Sequence, residues 1–316
     1  MQKIIILGTG GTIAGLAPDP QKPDAYASAQ LGVEGLFTAL GLPVDQGLEF
    51  EQVAQLDSKD ADEGFWRRLL SRVMHHLQRP EVAGLVLTHG TDTMEETAFL
   101  LSSLLPLEKP VALTGAMRAA NHPRTDGPAN LRDALHAVKS QLFRGVAVIM
   151  DGHWWAGSEV RKVKASALDA WATVNPDAHG RLEVLTPGQG RFMPQPVALR
   201  HWPTAMQVLS ESNWPRVELW ISHGGAQEWV LQAMRMHPHA PPLRGLVLAG
   251  TGAGTWHHRL TPSLHALQND GVRCWVSTRC ALDQLPFGVH EGIQSVPYSP
   301  AQARLGLMLA LISEGR

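Results

Sequence analysis

Four short apolar runs recur through the first half of the chain, and each ends in a turn rich in Gly, Thr, His or Asp. They are "KIIIL" (3–7), "GLVLTHG" (84–90), "PVALTG" (110–115) and "GVAVIMDG" (145–152). Their apolar residues are consecutive rather than alternating. Successive side chains of a strand point to opposite faces, so a consecutive run can be hidden only when both faces of the sheet are covered. Between these runs lie amphipathic segments at 62–79, 94–105 and 128–142, with apolar residues at helical spacing. Strands alternating with helices in this way specify an α/β fold around a largely parallel sheet.

The pattern breaks from about 190 to 212, where prolines interrupt any period, and then resumes. Strands are expected at 216–222, 243–250 and 272–278, with helices at 227–236, 262–270 and 299–315. The expected organisation is therefore a larger N-terminal α/β domain over 1–190, a linker over 191–212, and a smaller C-terminal α/β domain over 213–316. A chain of 316 residues with 44% hydrophobic content can supply two cores.

Charge and composition narrow the function. The formal net charge is −2, and no basic run suggests nucleic acid or an anionic membrane surface as partner. The N-terminal apolar run is shorter than the apolar region of a signal peptide, and no stretch approaches the ~20 residues that span a bilayer. A cytoplasmic location is the expectation. Two cysteines, Cys274 and Cys280, are too few for a disulfide framework, and both are read as buried thiols. The histidine-rich pieces "MHPHA" and "WHHRL" lack helical ligand spacing and nearby paired carboxylates, so they are read as surface loops and not as metal sites.

In open α/β sheets, ligands bind beyond the carboxyl ends of the strands. The first such loop is "LGTGGTIAG" (7–15). It fails as a dinucleotide fingerprint because Ile13 stands at the third glycine position. It fails as a P-loop because Leu16 replaces the lysine, and the prolines that follow resist a phosphate-binding helix. What remains is Thr12, among small residues that let a substrate carbonyl approach backbone N–H groups. A segment running on to Tyr26 has the character of a lid. The second loop, "LTHGTDTMEETAFLL" (87–101), places Thr91 and Asp92 just before a helix. Thr93 and Glu96 there have the spacing of a capping box.

"TGGTIAG" (9–15) together with "HGTDTMEETA" (89–98) resembles the paired signature motifs of the bacterial-type L-asparaginase family, and "GAMRAANHPRTDGPAN" (115–130) resembles a third segment of it. The resemblance covers most of residues 1–190 and is weaker beyond. It implies a two-domain α/β fold, larger N-terminal and smaller C-terminal, and hydrolysis of asparagine to aspartate and ammonia, with possible glutaminase activity. It implies no metal and no organic cofactor, and a homodimer or homotetramer whose active sites draw on both subunits.

Residue by residue, the resemblance assigns Thr12 as nucleophile and Tyr26 to a flexible lid. Thr91, Asp92 and Lys162 form a second catalytic group. Ser58 is assigned to the substrate's α-carboxylate, and the backbone carbonyl of Ala116 to the side-chain amide. Gly11 and Asp57 complete the substrate-binding set. The chemistry is coherent: amide hydrolysis needs a nucleophile, a proton path and an oxyanion site, and a threonine hydroxyl needs a base. Tyr26 or Lys162 could serve as that base, and Thr91 is the rival nucleophile.

Three departures concern the amine end of the substrate. Lys59 stands where members often carry glutamine, and a lysine cannot accept a bond from an ammonium. Ala253 stands where many have asparagine. The segment 277–293 is short where members carry a partner-subunit glutamate, leaving Asp283 and Glu291 as candidates. A hydrolase of a related small amide, or an amino-acid-binding module with weak turnover, are the alternative functions.

Overall fold

The computed structural model describes residues 2–19, 21–106, 108–187, 190–196 and 202–315. The chain divides into two compact units, Met1–Pro196 and Val197–Arg316.

The first unit contains β1 (Lys3–Gly10), α1 (Val33–Ala39), β2 (Leu48–Leu56), α2 (Glu63–Leu77), β3 (Val82–Thr88) and α3 (Met94–Leu104). It continues through β4 (Pro110–Thr114), α4 (Gly127–Lys139), β5 (Phe143–Met150), β6 (His153–Ala156), the short strands β7 (Arg161–Lys162) and β8 (Trp171–Ala172), β9 (His179–Arg181) and β10 (Arg191–Phe192). The main sheet runs β2-β1-β3-β4-β5-β6-β9, with β10 beside β5. The pairs from β2 to β5 are parallel, and β6 and β9 add antiparallel strands at one end. As the consecutive apolar runs require, β1, β3, β4 and β5 are buried almost throughout. Ile5, Ile6, Leu7, Leu85, Val86 and Leu87 are fully covered, on both faces of the sheet.

Strand β2 has no counterpart in the apolar runs. It is an edge strand with one covered face and charged residues such as Glu49 and Glu51 on the other. Its place decides the topology. The chain steps from β1 outward to β2, then crosses back over β1 to β3 on the other side. The gap beyond the carboxyl ends of β1 and β3 is therefore the point where strand order reverses, which is where open α/β sheets bind ligands. The two strands run in register, with Gly8 opposite Thr88, so their following loops emerge side by side.

The second unit contains α5 (Ala205–Ser210), β11 (Arg216–Ile221), α6 (Trp229–Met236), β12 (Leu243–Gly250), α7 (Thr261–Asn269), β13 (Arg273–Thr278), β14 (Gly288–His290), β15 (Ile293–Ser295) and α8 (Pro300–Ser313). Its sheet order is β11-β12-β13-β15-β14, parallel except for the β14–β15 hairpin. Helix α5 begins inside the span read as linker and carries a full capping box, Thr204 with Gln207. Of that span, residues 197–201 lie outside the described residues.

The cysteine reading needs correction. Cys274 on β13 is buried, and burial pushes its thiol up to about 12. Cys280 is exposed, because it lies beyond the end of that strand. His257 and His258 stack on one another at 4.6 Å in the second unit. Among the described residues, no three His, Cys, Asp or Glu side chains are grouped to hold a metal ion. No helix among them is long and apolar enough to cross a membrane.

Candidate active site

The loop after β1 turns at Gly10 and Gly11, both at positive φ, and closes a short 3-10 turn over Thr12–Ala14. A Cβ on Gly11 would lie 2.4 Å from the Cα of Gly90, so the first and second loops touch backbone to backbone. The amide of Gly11 donates to Leu56 O at 2.9 Å. Gly11 therefore contributes room rather than an N–H directed at substrate.

Thr12 Oγ lies 2.9 Å from Tyr26 Oη, and either oxygen can donate. The segment between them is pinned at its base, where Leu16 and Ala27 exchange both backbone bonds at 3.0 Å. Asn121 bonds Ala17 N and O, tying the same segment to the third loop. Gly15 makes room for the phenol: a Cβ there would meet the Tyr26 ring at 2.9 Å.

The second loop carries the other cluster. Lys162 Nζ donates to Thr91 Oγ at 2.9 Å and to Asp92 Oδ1 at 2.6 Å. Thr91 is buried, whereas the Asp92 side chain is 56% exposed and that of Lys162 13%. The pair is thus partly solvated, so the Coulomb attraction is modest and geometry matters more than ion-pair energy.

Ser58 is buried beneath this loop. Its Oγ accepts from Asp92 N at 3.2 Å, which leaves its own hydroxyl proton to donate elsewhere. Gly90 fits against it: a Cβ on Gly90 would stand 2.5 Å from Ser58 Oγ. Asp57 caps the turn at 58–60 by accepting from Lys59 N. Lys59 Nζ is drawn to Asp60 Oδ2 at 2.5 Å and to Asp57 Oδ2 at 3.8 Å. Ala116 is fully buried at the head of the third loop. Asp126 clasps that loop by accepting from Met117 N and Arg118 N, and Asn130 donates to Gly115 O at 3.0 Å.

The capping box read at Thr93 and Glu96 does not form. Thr93 is the N-cap of α3, but its side chain makes no cap bond and donates instead to Ser58 O at 2.8 Å. The hydroxyl serves to hold two loops together, a tertiary contact that local spacing cannot reveal.

Other residues emerge only from the structure. His89 is fully buried. Its Nδ1 donates to Gly90 O at 2.7 Å, and its Nε2 accepts from Thr97 Oγ at 3.0 Å, which in turn accepts from Trp66 Nε1 at 3.0 Å. These partners suit a neutral ring, with Nε2 accepting from the Thr97 hydroxyl, in keeping with a pKa that burial lowers to about 4. Glu95 Oε2 accepts from Lys162 N at 2.7 Å. His89 and Glu95 lie inside the second motif, but only the fold shows what they grip.

In the second unit, Ala253 and Asp283 line one cavity of about 350 Å³ with Gln284 and His290. Glu291 is instead on the turn of the β14–β15 hairpin, at φ 46°.

Comparison with known proteins places this arrangement. A family model described as Asparaginase, N-terminal, matches residues 3–189. L-asparaginase 2 of Escherichia coli K12 is 29% identical, over 98% of this chain and 89% of the relative. L-asparaginase 2-3 of Saccharomyces cerevisiae is 33% identical, over 81% and 70%. The crystal structure of a probable cytoplasmic L-asparaginase from Campylobacter jejuni superposes with a TM-score of 0.83 at 28% identity, over 98% of this chain and 95% of that one. The match runs through the loops that carry Thr12, Thr91 and Lys162, and the chain belongs to the asparaginase family.

Proposed function

We propose that the protein hydrolyses the side-chain amide of L-asparagine to L-aspartate and ammonia, with glutamine as a possible second substrate, and that Thr12 is the nucleophile. The observation that carries this reading is that each of two threonine hydroxyls meets a proton-handling partner, Thr12 with Tyr26 and Thr91 with Lys162, at the reversal point of the sheet. Thr12 Oγ attacks the amide carbon while its proton passes to the Tyr26 oxygen and the phenol's own proton passes on to the amide nitrogen. The amide nitrogen leaves as ammonia, carrying that proton. A water held at Thr91 then attacks the acyl carbon, the bond from that carbon to Thr12 Oγ breaks, and one water proton returns through Tyr26 to Thr12 Oγ as aspartate leaves, while the Lys162 ammonium holds Thr91 in place by its hydrogen bond. Ser58 donates to the α-carboxylate and Ala116 O receives the side-chain amide. The first amides of a helical turn have no partner within the turn, so the N–H of Thr12 is available to the oxyanion.

The relatives named L-asparaginase and glutaminase-asparaginase support the substrate assignment. A cytoplasmic location follows the Campylobacter jejuni neighbour. A homodimer or homotetramer is the expected assembly. Asp283, which shares a cavity with Ala253 in the second unit, and Glu291 are the candidates for an acidic group supplied by a partner subunit.

A second reading is hydrolysis of a related small amide, favoured by Lys59. Its ammonium is paired with Asp57 and Asp60, and a lysine offers a substrate ammonium no acceptor. Ammonia release from asparagine, glutamine and an amide lacking the α-amine separates the two. Release from none would make the chain a binding module. Trapping the acyl-enzyme and mapping it by peptide mass tests the nucleophile: attachment to Thr12 is expected, and attachment to Thr91 would overturn the assignment.

A further inference from the structure

We propose that Glu95 is a positioning residue for the reaction. Its carboxylate holds the main chain of Lys162, and so places Lys162 Nζ on Thr91 and Asp92. The inference rests on the role given to Lys162 above.

Lys162 stands on a ribbon of two-residue strands, β7 and β8, which is not part of the eight-stranded sheet. A two-stranded ribbon of this size is not stable alone, so its own ladder does not fix where the lysine begins. A lysine stem is long and flexible, and its ammonium is placed only as well as its Cα. The missing restraint comes from the other edge of the ribbon. Lys162 N donates to Glu95 Oε2 at 2.7 Å, across 67 positions of sequence, within the range of a charge-assisted bond.

Glu95 is in the first turn of α3, on the same helix end that carries Thr91 and Asp92. The start of α3 and the loop that leads into it therefore hold the lysine at both ends: its main chain through Glu95, and its ammonium through Thr91 and Asp92. This closes a ring through the helix end. Opening it lets the ribbon shift, and a misplacement of about 1 Å at a reacting group can cost about a hundredfold in rate.

An acidic residue in a first turn also has an ordinary role, complementing the helix dipole. The two roles make opposite demands. The dipole needs the charge but not the reach. Positioning needs an oxygen at the reach of Glu95 but not the charge.

The test uses the full chain, with ammonia release from L-asparagine followed across pH, melting temperature, and four variants: Glu95→Gln, Glu95→Asp, Glu95→Ala and Lys162→Met. Positioning predicts that Glu95→Gln keeps kcat within about threefold of wild type, because its amide oxygen still accepts from Lys162 N. Glu95→Asp keeps the charge but is one methylene short. It and Glu95→Ala should lose kcat by about tenfold or more, with KM little changed. Should Glu95→Ala fail to fold, the contrast between Gln and Asp decides alone. The proposal is overturned if Glu95→Asp is active and Glu95→Gln is not, or if all three Glu95 variants match wild type while Lys162→Met is inactive. Full activity in Lys162→Met would instead remove the role of the lysine itself, and the proposal with it.

Discussion

Gly11 and Gly90 meet backbone to backbone, with room for no side chain between them: a Cβ on Gly11 would fall 2.4 Å from the Cα of Gly90. This contact joins the loop of Thr12 to the loop of Thr91. It also gives both glycines a role, since neither position has room for a Cβ. They bring two chemical loops together.

Gly11→Ala should therefore part the two loops. The added methyl collides with backbone, and Gly11 is at φ 78°, where an L residue is strained. The expected outcome is a loss of about 1–3 kcal/mol in stability and a fall in kcat of about a hundredfold or more as the loops separate. Denaturant titration and steady-state kinetics measure the two, and a variant with normal kcat would show that the loops act independently.

Lys162→Met keeps the length of the stem and removes the ammonium that meets Thr91 and Asp92. Turnover should fall by about 10²–10⁴-fold. Because Asp92 is 56% exposed, stability should change by less than about 1 kcal/mol. A large drop in melting temperature without loss of turnover would make the pair structural.

Tyr26→Phe keeps the ring against Gly15 and deletes the oxygen 2.9 Å from Thr12 Oγ. The acylation rate, read by rapid quench, should fall by about a hundredfold or more, with substrate affinity changed far less. Equal losses in affinity and rate would reduce Tyr26 to a lid residue.

His89 links pH to stability. Its pKa is lowered by burial from 6.5 to about 4 in the folded protein. Between those values the unfolded chain binds the proton and the folded one does not, so stability is full above about pH 6.5 and falls as the pH drops towards 4. The contribution is on the order of 3 kcal/mol. Unfolding free energies at pH 7 and pH 5 measure the slope. His89→Asn, whose amide can still donate towards Gly90 O, should flatten it, and an unchanged slope would assign the acid sensitivity to other groups.

The cysteines should separate by reactivity. A thiol reagent should label Cys280 in the native protein and Cys274 only after unfolding, because Cys274 is buried with a thiol pushed up to about 12. Mass spectrometry of the labelled native protein checks this, and labelling of both sites at equal rates would contradict the fold around β13.

Much of the first unit was legible from the residues. Strands β1, β3, β4 and β5 are buried on both faces, and that burial demands consecutive apolar side chains, which are visible in any window of sequence. Strand β2 was not legible because an edge strand hides only one face, and its charged residues Glu49 and Glu51 break the run. Without β2, the reversal of strand order between β1 and β3 could not be seen.

The candidate site divides along the same line. Thr12, Thr91 and Asp92 lie in long motifs at strand ends, where local sequence determines both loop shape and residue type. Lys162 stands on a two-residue strand with no periodicity to detect, and its reach to Thr91 spans 71 positions. Thr93 had the spacing of a helix cap, yet its hydroxyl goes to Ser58 O, because a buried carbonyl on a neighbouring loop competes for the same proton. The sequence by itself thus determined the layers and pointed to the candidate site residues, since burial and turn geometry are local demands. Only the tertiary structure decided which loops touch, which hydroxyl meets which side chain, and that Glu95 and His89 grip the backbone beneath them, because those contacts depend on strand order and on packing between segments far apart in the chain.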